Sequence, residues 1–155
     1  MTAVHKNENF VFNHVAISVP NCDEACNFYM EVFGFRRIRS DRATDRAETP
    51  DAPIFKIYNN KLHKVKTAWL ACGNSVGFEV FEFSDPPYKQ PEPFDYARGG
   101  FFHIAITVSD PDAIAAKATK LGGKQIGETV SMYGEKALYL QDPWGNGMNL
   151  RPLKD

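Results

Sequence analysis

Asn13-His14-Val15-Ala16-Ile17-Ser18-Val19 and Phe102-His103-Ile104-Ala105-Ile106-Thr107-Val108 are two copies of one pattern, and a chain carrying it twice is pressed to build the same strand in two places. Side chains alternate along a strand, so each copy sends His, Ala and Ser or Thr to one face and three β-branched aliphatic residues to the other. One face is made to pack and the other leaves room. A histidine that opens a single strand is ordinarily structural; two at equivalent places in a duplicated unit are candidates for joint ligation.

The duplication extends beyond the strand. After the first copy, Asn21 can cap a helix with Glu24 three residues on; Ala25, Phe28, Tyr29 and Val32 recur at helical spacing, and Gly34 stops it. After the second, Asp110 precedes Pro111 at the first helical position, Ile114, Ala118 and Leu121 form the stripe, and Gly122-Gly123 ends it. Further strands are predicted at 35–39, 67–72 and 76–83, then at 124–128, 136–141 and 147–152. Each half reads β-α-β-β-β, which predicts an α+β fold of two paired modules, 12–83 and 101–152, curving around a cleft.

Residues 84–100 join the halves and read as a linker, holding Pro86, Pro87, Pro91, Pro93, Gly99 and Gly100. Tyr88, Phe94 and Tyr96 are unusual in a free spacer and are expected to pack on the domain or a partner chain. The first half also carries a polar insert from about Ser40 to Lys66, a candidate cover for a site. His63 within it, and His5 in the tail, read as surface residues.

At 155 residues and a net charge of −1, the chain can bury a core without staples and shows no electrostatic footprint for nucleic acid. Cys22, Cys26 and Cys72 have neither zinc-knuckle spacing nor a disulfide framework, and read as buried thiols in a reducing compartment. No stretch approaches a membrane span, and the first nine residues lack the apolar run of a signal peptide, so a cytoplasmic protein with a small-molecule partner is expected.

The chemistry gathers on the closing strands. In Gly77-Phe78-Glu79-Val80-Phe81-Glu82-Phe83, alternation places Glu79 with Phe81 and Phe83, and Glu82 with Phe78 and Val80. A carboxylate buried without a partner costs several kcal/mol, so Glu79 should meet an Arg, a metal or another cation. Glu82 is the rival, but its face, with Phe78 and Val80, is suited to helices. In the last strand Asn149 stands in the place of Glu79, with Arg151 on the same face as a candidate carboxylate anchor.

Taken in order, the paired His strands, Phe28-Tyr29 leading to Phe33-Gly34-Phe35, the strand Phe78-Glu79-Val80-Phe81 and Asp142-Pro143-Trp144-Gly145-Asn146 resemble the vicinal oxygen chelate superfamily. That superfamily includes glyoxalases, bleomycin-resistance proteins, methylmalonyl-CoA epimerases and extradiol dioxygenases; the resemblance spans about residues 12–152. It implies homodimers, sometimes with exchanged modules, and one divalent ion (Zn, Ni, Fe, Mn or Co). Its metal positions fall on His14, Glu79, His103 and Asn149. The first three match the superfamily's ligand types, while Asn149 departs from the glutamate of glyoxalase I and the epimerases.

Two His and one carboxylate leave a divalent centre with about one positive charge and open positions, which favours an anionic or chelating substrate. Asn149 has no useful basicity at pH 7, so Glu79 is the candidate base for moving a proton next to a carbonyl, as a lyase or isomerase would. A ring-cleaving Fe(II) dioxygenase is an alternative, since the His2Glu set is chemically a 2-His-1-carboxylate arrangement. A binding protein without catalysis is another, with Phe81, Tyr133 and neighbouring aromatics gripping a flat ligand.

Overall fold

A computed structural model describes residues 10–153; Met1–Asn9, including His5, and the last two residues lie outside the described segment. Two mixed sheets form. The first contains β1 (His14–Ser18), β2 (Arg36–Arg37), β3 (Arg42–Asp45), β4 (Lys64–Ala71) and β5 (Gly77–Asp85), in the order β1-β5-β4-β2 with β3 also on β4. The second contains β6 (Ile104–Val108), β7 (Lys124–Met132), β8 (Glu135–Gln141) and β9 (Gly147–Pro152), in the order β6-β9-β8-β7. In each, the His strand runs parallel to the closing strand and the other pairings are antiparallel.

The helices form where the caps predict. Asn21 accepts hydrogen bonds from the Asp23 and Glu24 amides at the start of α1 (Cys22–Phe33), and Gly34, at φ 69°, ends it in the left-handed region that glycine tolerates. Asp110 caps the later helix Pro111–Lys120 in the same way. The insert is not the loop its polarity predicts: besides β3 it forms a short helix, α2 (Pro53–Ile57), which makes Pro111–Lys120 α3. Alternation of Thr44 and Arg42 on one face of β3 is too short a pattern to announce a strand.

The strands differ from expectation at their ends. β2 shrinks to two residues, and β7 runs on to Met132 past an irregularity between Ile126 and Val130. β7 turns into β8 through Tyr133-Gly134, both at positive φ, the backbone of a tight hairpin turn that Tyr-Gly does not advertise as Asn-Gly would.

α1 lies on β4 and β5, α3 on β7, β8 and β9, and the helices touch, so the helix-bearing sides of both sheets share one core. Phe78, Val80, Leu138, Leu140, Met148 and Leu150 are fully buried or nearly so. Each such side chain contributes about 1.5–3 kcal/mol relative to exposure.

Asp142-Pro143-Trp144-Gly145-Asn146 fastens the two halves together. The Asp142 carboxylate accepts from the Trp144 and Asn146 amides, the Asn146 side chain and the Tyr29 hydroxyl, the last at 2.8 Å from across the core. Phe28 of α1 meets the Trp144 ring edge-on at 5.9 Å. Burial pushes the Asp142 carboxyl up while these donors pull it down, and burial also drives the Tyr29 phenol well up.

Candidate active site

The alternation read from the two His strands is what forms. In β1, Val15 and Ile17 turn inward while His14, Ala16 and Ser18 are exposed; β6 follows suit, with Ala105 and Thr107 outward. Glycine starts each closing strand because the His strand crosses there. A Cβ on Gly77 would sit 3.0 Å from the His14 Cβ, and one on Gly147 would sit 2.2 Å from the Phe102 carbonyl oxygen. No Cβ fits at Gly147, and one at Gly77 would press on His14, so these glycines set how closely each histidine approaches its sheet.

Register completes each half of the site. Ala16 pairs with Glu79 and Glu79 with Trp69 across three strands of the first sheet; Ala105 pairs with Asn149 and Asn149 with Tyr139 across the second. Each histidine then stands edge-on to the aromatic two strands away, His14 to Trp69 at 5.6 Å and His103 to Tyr139 at 5.3 Å between ring centres. The halves therefore match in glycine, histidine and aromatic residue, and differ where Glu79 faces Asn149 in the comparison.

Glu79 Oε2 lies 3.2 Å from His14 Nε2, while His14 Nδ1 lies 2.7 Å from Asn13 Oδ1. With the Asn13 amide oxygen as its neighbour, an atom that can only accept, Nδ1 is assigned the proton. Nε2 then turns a lone pair toward the carboxylate unless it too is protonated. Two acceptors at this distance are stable with a proton or another cation between them, which is the donor set a divalent ion takes. The Glu79 side chain is 11% exposed against 40% for His14, and burial raises its pKa, opposed by the charges of His14 and Arg39.

Glu82 points the other way, as alternation predicts, and accepts the Cys22 amide at the start of α1 at 2.9 Å. It is occupied by a structural task. Cys22, pushed up to about 12 by burial, stays a protonated thiol; Cys26 is also buried, and neither joins the His14 side of the sheet.

Not every residue singled out from sequence comes to this place. His103 is on the second sheet, where its Nδ1 is buried without a hydrogen-bond partner. Among the described residues, no three His, Cys, Asp or Glu side chains stand close enough to hold one metal ion. Asn149 is buried and donates through Nδ2 to the Leu138 carbonyl at 3.3 Å, which leaves Oδ1 for a ligand. Arg151 pairs with Glu135 at 3.1 Å, so its charge is already answered. Tyr133 is 95% exposed at the tip of the β7–β8 hairpin.

Phe81 does line a cavity. It stacks on Phe83 at 5.6 Å with nearly parallel rings, and α2 packs over this pair through Phe55 and Ala52. Between α2, β3 and the face of Glu79 lies a space of about 470 Å³, walled also by Arg39, Arg42, Thr67 and Trp69. The insert is thus a cover for part of the site. Sequence reasoning missed Arg39 and Arg42, because a strand signal at β3 would have been needed to give Arg42 a face.

The chain matches the model of the Glyoxalase/Bleomycin resistance protein/Dioxygenase superfamily over residues 11–150. It belongs to this superfamily. It is 29% identical over 144 residues to a 2-epi-5-epi-valiolone epimerase from an Actinomyces species, a match covering 89% of this chain and 76% of the relative. Its fold resembles that of a glyoxalase family protein from Bacillus cereus, with TM-score 0.79, 21% identity, and 97% and 98% of the two chains covered. A glyoxalase I variant from Zea mays matches with TM-score 0.62 and 24% identity, over 93% of this chain and 46% of the maize protein. Superfamily membership accounts for the duplicated His strand and the α+β class together. No helix among the described residues is long and apolar enough to cross a membrane.

Proposed function

We propose that the chain is a metal-dependent isomerase or lyase in which His14 and Glu79 of one copy and His103 of a second copy hold one divalent ion. The observation that carries this reading is the outward-facing His14–Glu79 acceptor pair, 3.2 Å apart, matched on the other sheet by His103 beside Asn149. A second copy that laid its second sheet over the first would complete the donor set. Phe10, Val11 and Phe12 ahead of β1, and Phe101 and Phe102 ahead of β6, are exposed apolar residues flanking both histidines, the kind of surface that a partner covers.

A divalent ion at this place would polarise a substrate carbonyl and ease charge developing on its oxygen. Glu79, beside it, takes the proton from the adjoining carbon. Asn149 cannot return a proton, so its side-chain oxygen serves as a neutral contact to substrate or ion. The relative named as an epimerase supports an isomerisation that moves a proton at carbon; with one carboxylate, the proton delivered to the opposite face must come from elsewhere, such as water.

The test offers dihydroxyacetone phosphate, a small anionic hydroxyketone, beside the uncharged 2-epi-5-epi-valiolone in deuterated water, followed by NMR, with metal content of the purified protein measured alongside. Deuterium should enter next to the carbonyl with wild type and with Glu82→Gln, and should cease with Glu79→Gln. Unchanged exchange in a folded Glu79→Gln variant refutes the base assignment. Oxygen uptake with catechol and Fe(II) in place of exchange would put the chain among the ring-cleaving members.

A further inference from the structure

The cavity beside Glu79 is lined by two solvent-exposed arginines, one of which, Arg39, lies near enough for its charge to act on Glu79. Arg39 lays its guanidinium over the Trp69 ring at 4.5 Å, which occupies the planar face but leaves the edge donors free. Arg42, on β3 opposite Thr67, walls the same space. Neither makes a side-chain hydrogen bond or ion pair among the described residues. Neighbouring arginines behave differently: Arg37 pairs with Asp23 and Asp41, Arg46 donates to the Leu62 and Asn59 carbonyls, and Arg151 pairs with Glu135. With Glu79 as the cavity's single acid, its charged lining sums to about +1, and the Thr44 and Thr67 hydroxyls add neutral donors. The opposite wall is apolar, made by Pro53, Ile54 and Ile57 of α2.

We propose that this cavity is the substrate pocket and that Arg39 and Arg42 bind an oxyanion, carboxylate or phosphate, carried by the substrate. Resting on the function proposed above, this names the substrate class: a small carbonyl compound with an anionic group a few bonds from the carbon that faces Glu79. The guanidinium fork matches the geometry of both anions. Placing the anion on the arginines keeps it off Glu79, whose charge would repel it. The apolar wall from α2 takes the carbon chain between them.

Isothermal titration with inorganic phosphate, propionate and the uncharged polyol erythritol tests this, on protein as purified and on protein stripped with EDTA. The two preparations separate the arginine contact from direct ligation of a metal. Phosphate or propionate should bind the stripped protein, and Arg39→Gln and Arg42→Gln should each weaken that binding about tenfold or more, leaving metal content and melting temperature unchanged. Preference between phosphate and propionate decides which anion the substrate carries. If neither anion binds wild type, or if both variants bind as wild type does, the proposal is overturned. If the protein proves metal-free yet the arginine-dependent binding persists, the metal assignment fails and the anion site stands.

Discussion

A site divided between two copies predicts that two dead variants can restore one another. His14→Ala removes a ligand from the first sheet and His103→Ala removes one from the second, so each homodimer has two broken clefts. In a symmetrical dimer of one copy of each, one cleft combines both lesions, while the other combines an intact His14 and Glu79 with an intact His103. Random mixing of equal amounts makes half the dimers mixed, and each has one sound cleft of two, so metal content and exchange activity should recover to about a quarter of wild type. Mixed dimers isolated by two different affinity tags should reach about half. The assay is elemental analysis and deuterium exchange on the parents, on a subunit-exchanged mixture and on a wild-type mixture treated alike. The structure brings Glu79 Oε2 within 3.2 Å of His14 Nε2 but gathers no third ligand from the described residues of the same chain, which is why recovery is expected at all. A tagged mixed dimer with no more metal or activity than its parents refutes a shared cleft.

Two further outcomes follow from particular contacts. Tyr29→Phe removes the buried 2.8 Å hydrogen bond to Asp142 and should cost about 1.5–3 kcal/mol, read as a melting temperature lower by roughly 3–10 °C; an unchanged melt would mean the Asp142 knot does not fasten the halves. Asn149→Glu should tighten metal binding about tenfold and weaken phosphate binding, because it adds a hard oxygen donor and cancels positive charge; a folded variant with unchanged metal affinity would show that residue 149 does not face the ion.

The sequence announces the parts of this fold that repeat or punctuate. Asn21 and Asp110 are capping residues in sequence and in space, and the alternation around Glu79 and Glu82 separates the acid beside His14 from one that accepts the Cys22 amide. What stays illegible is local order imposed from a distance. α2 exists because Phe55 finds Phe81 and Leu62 to pack on, a tertiary reason that five residues of local pattern cannot carry. Arg151 is legible as a cation on the right face, but its partner Glu135 lies on a neighbouring strand and becomes visible once β8 and β9 are in register. Arg39 shows the same limit in reverse: a charged residue in the bend after a two-residue strand gains meaning only when Trp69 is beneath it.

The two sheets are one design that has diverged at a few positions, and the divergence bears on the chemistry. Gly77 corresponds to Gly147, His14 to His103 and Trp69 to Tyr139, so scaffold and histidine geometry are kept. Glu79 corresponds to Asn149 and Phe81 to Arg151, so the proposed base and the stacked floor of the cavity belong to the first sheet. If like sheets met across a dimer, one cleft would hold two carboxylates and the other none, and only the first could both bind a cation and remove a proton. Pairing unlike sheets gives every cleft one Glu79, two histidines and one neutral amide. Arg42 on β3 and Arg39 just past β2 also stand on the first-sheet side of the cavity, so in the proposed function the anion, the base and the proton it removes would lie on one side of the substrate. In the proposed reaction a proton would leave from that side, and any inversion at carbon would draw its new proton from the side where the second sheet supplies Asn149, Tyr139 and Glu135, a carboxylate already held by Arg151.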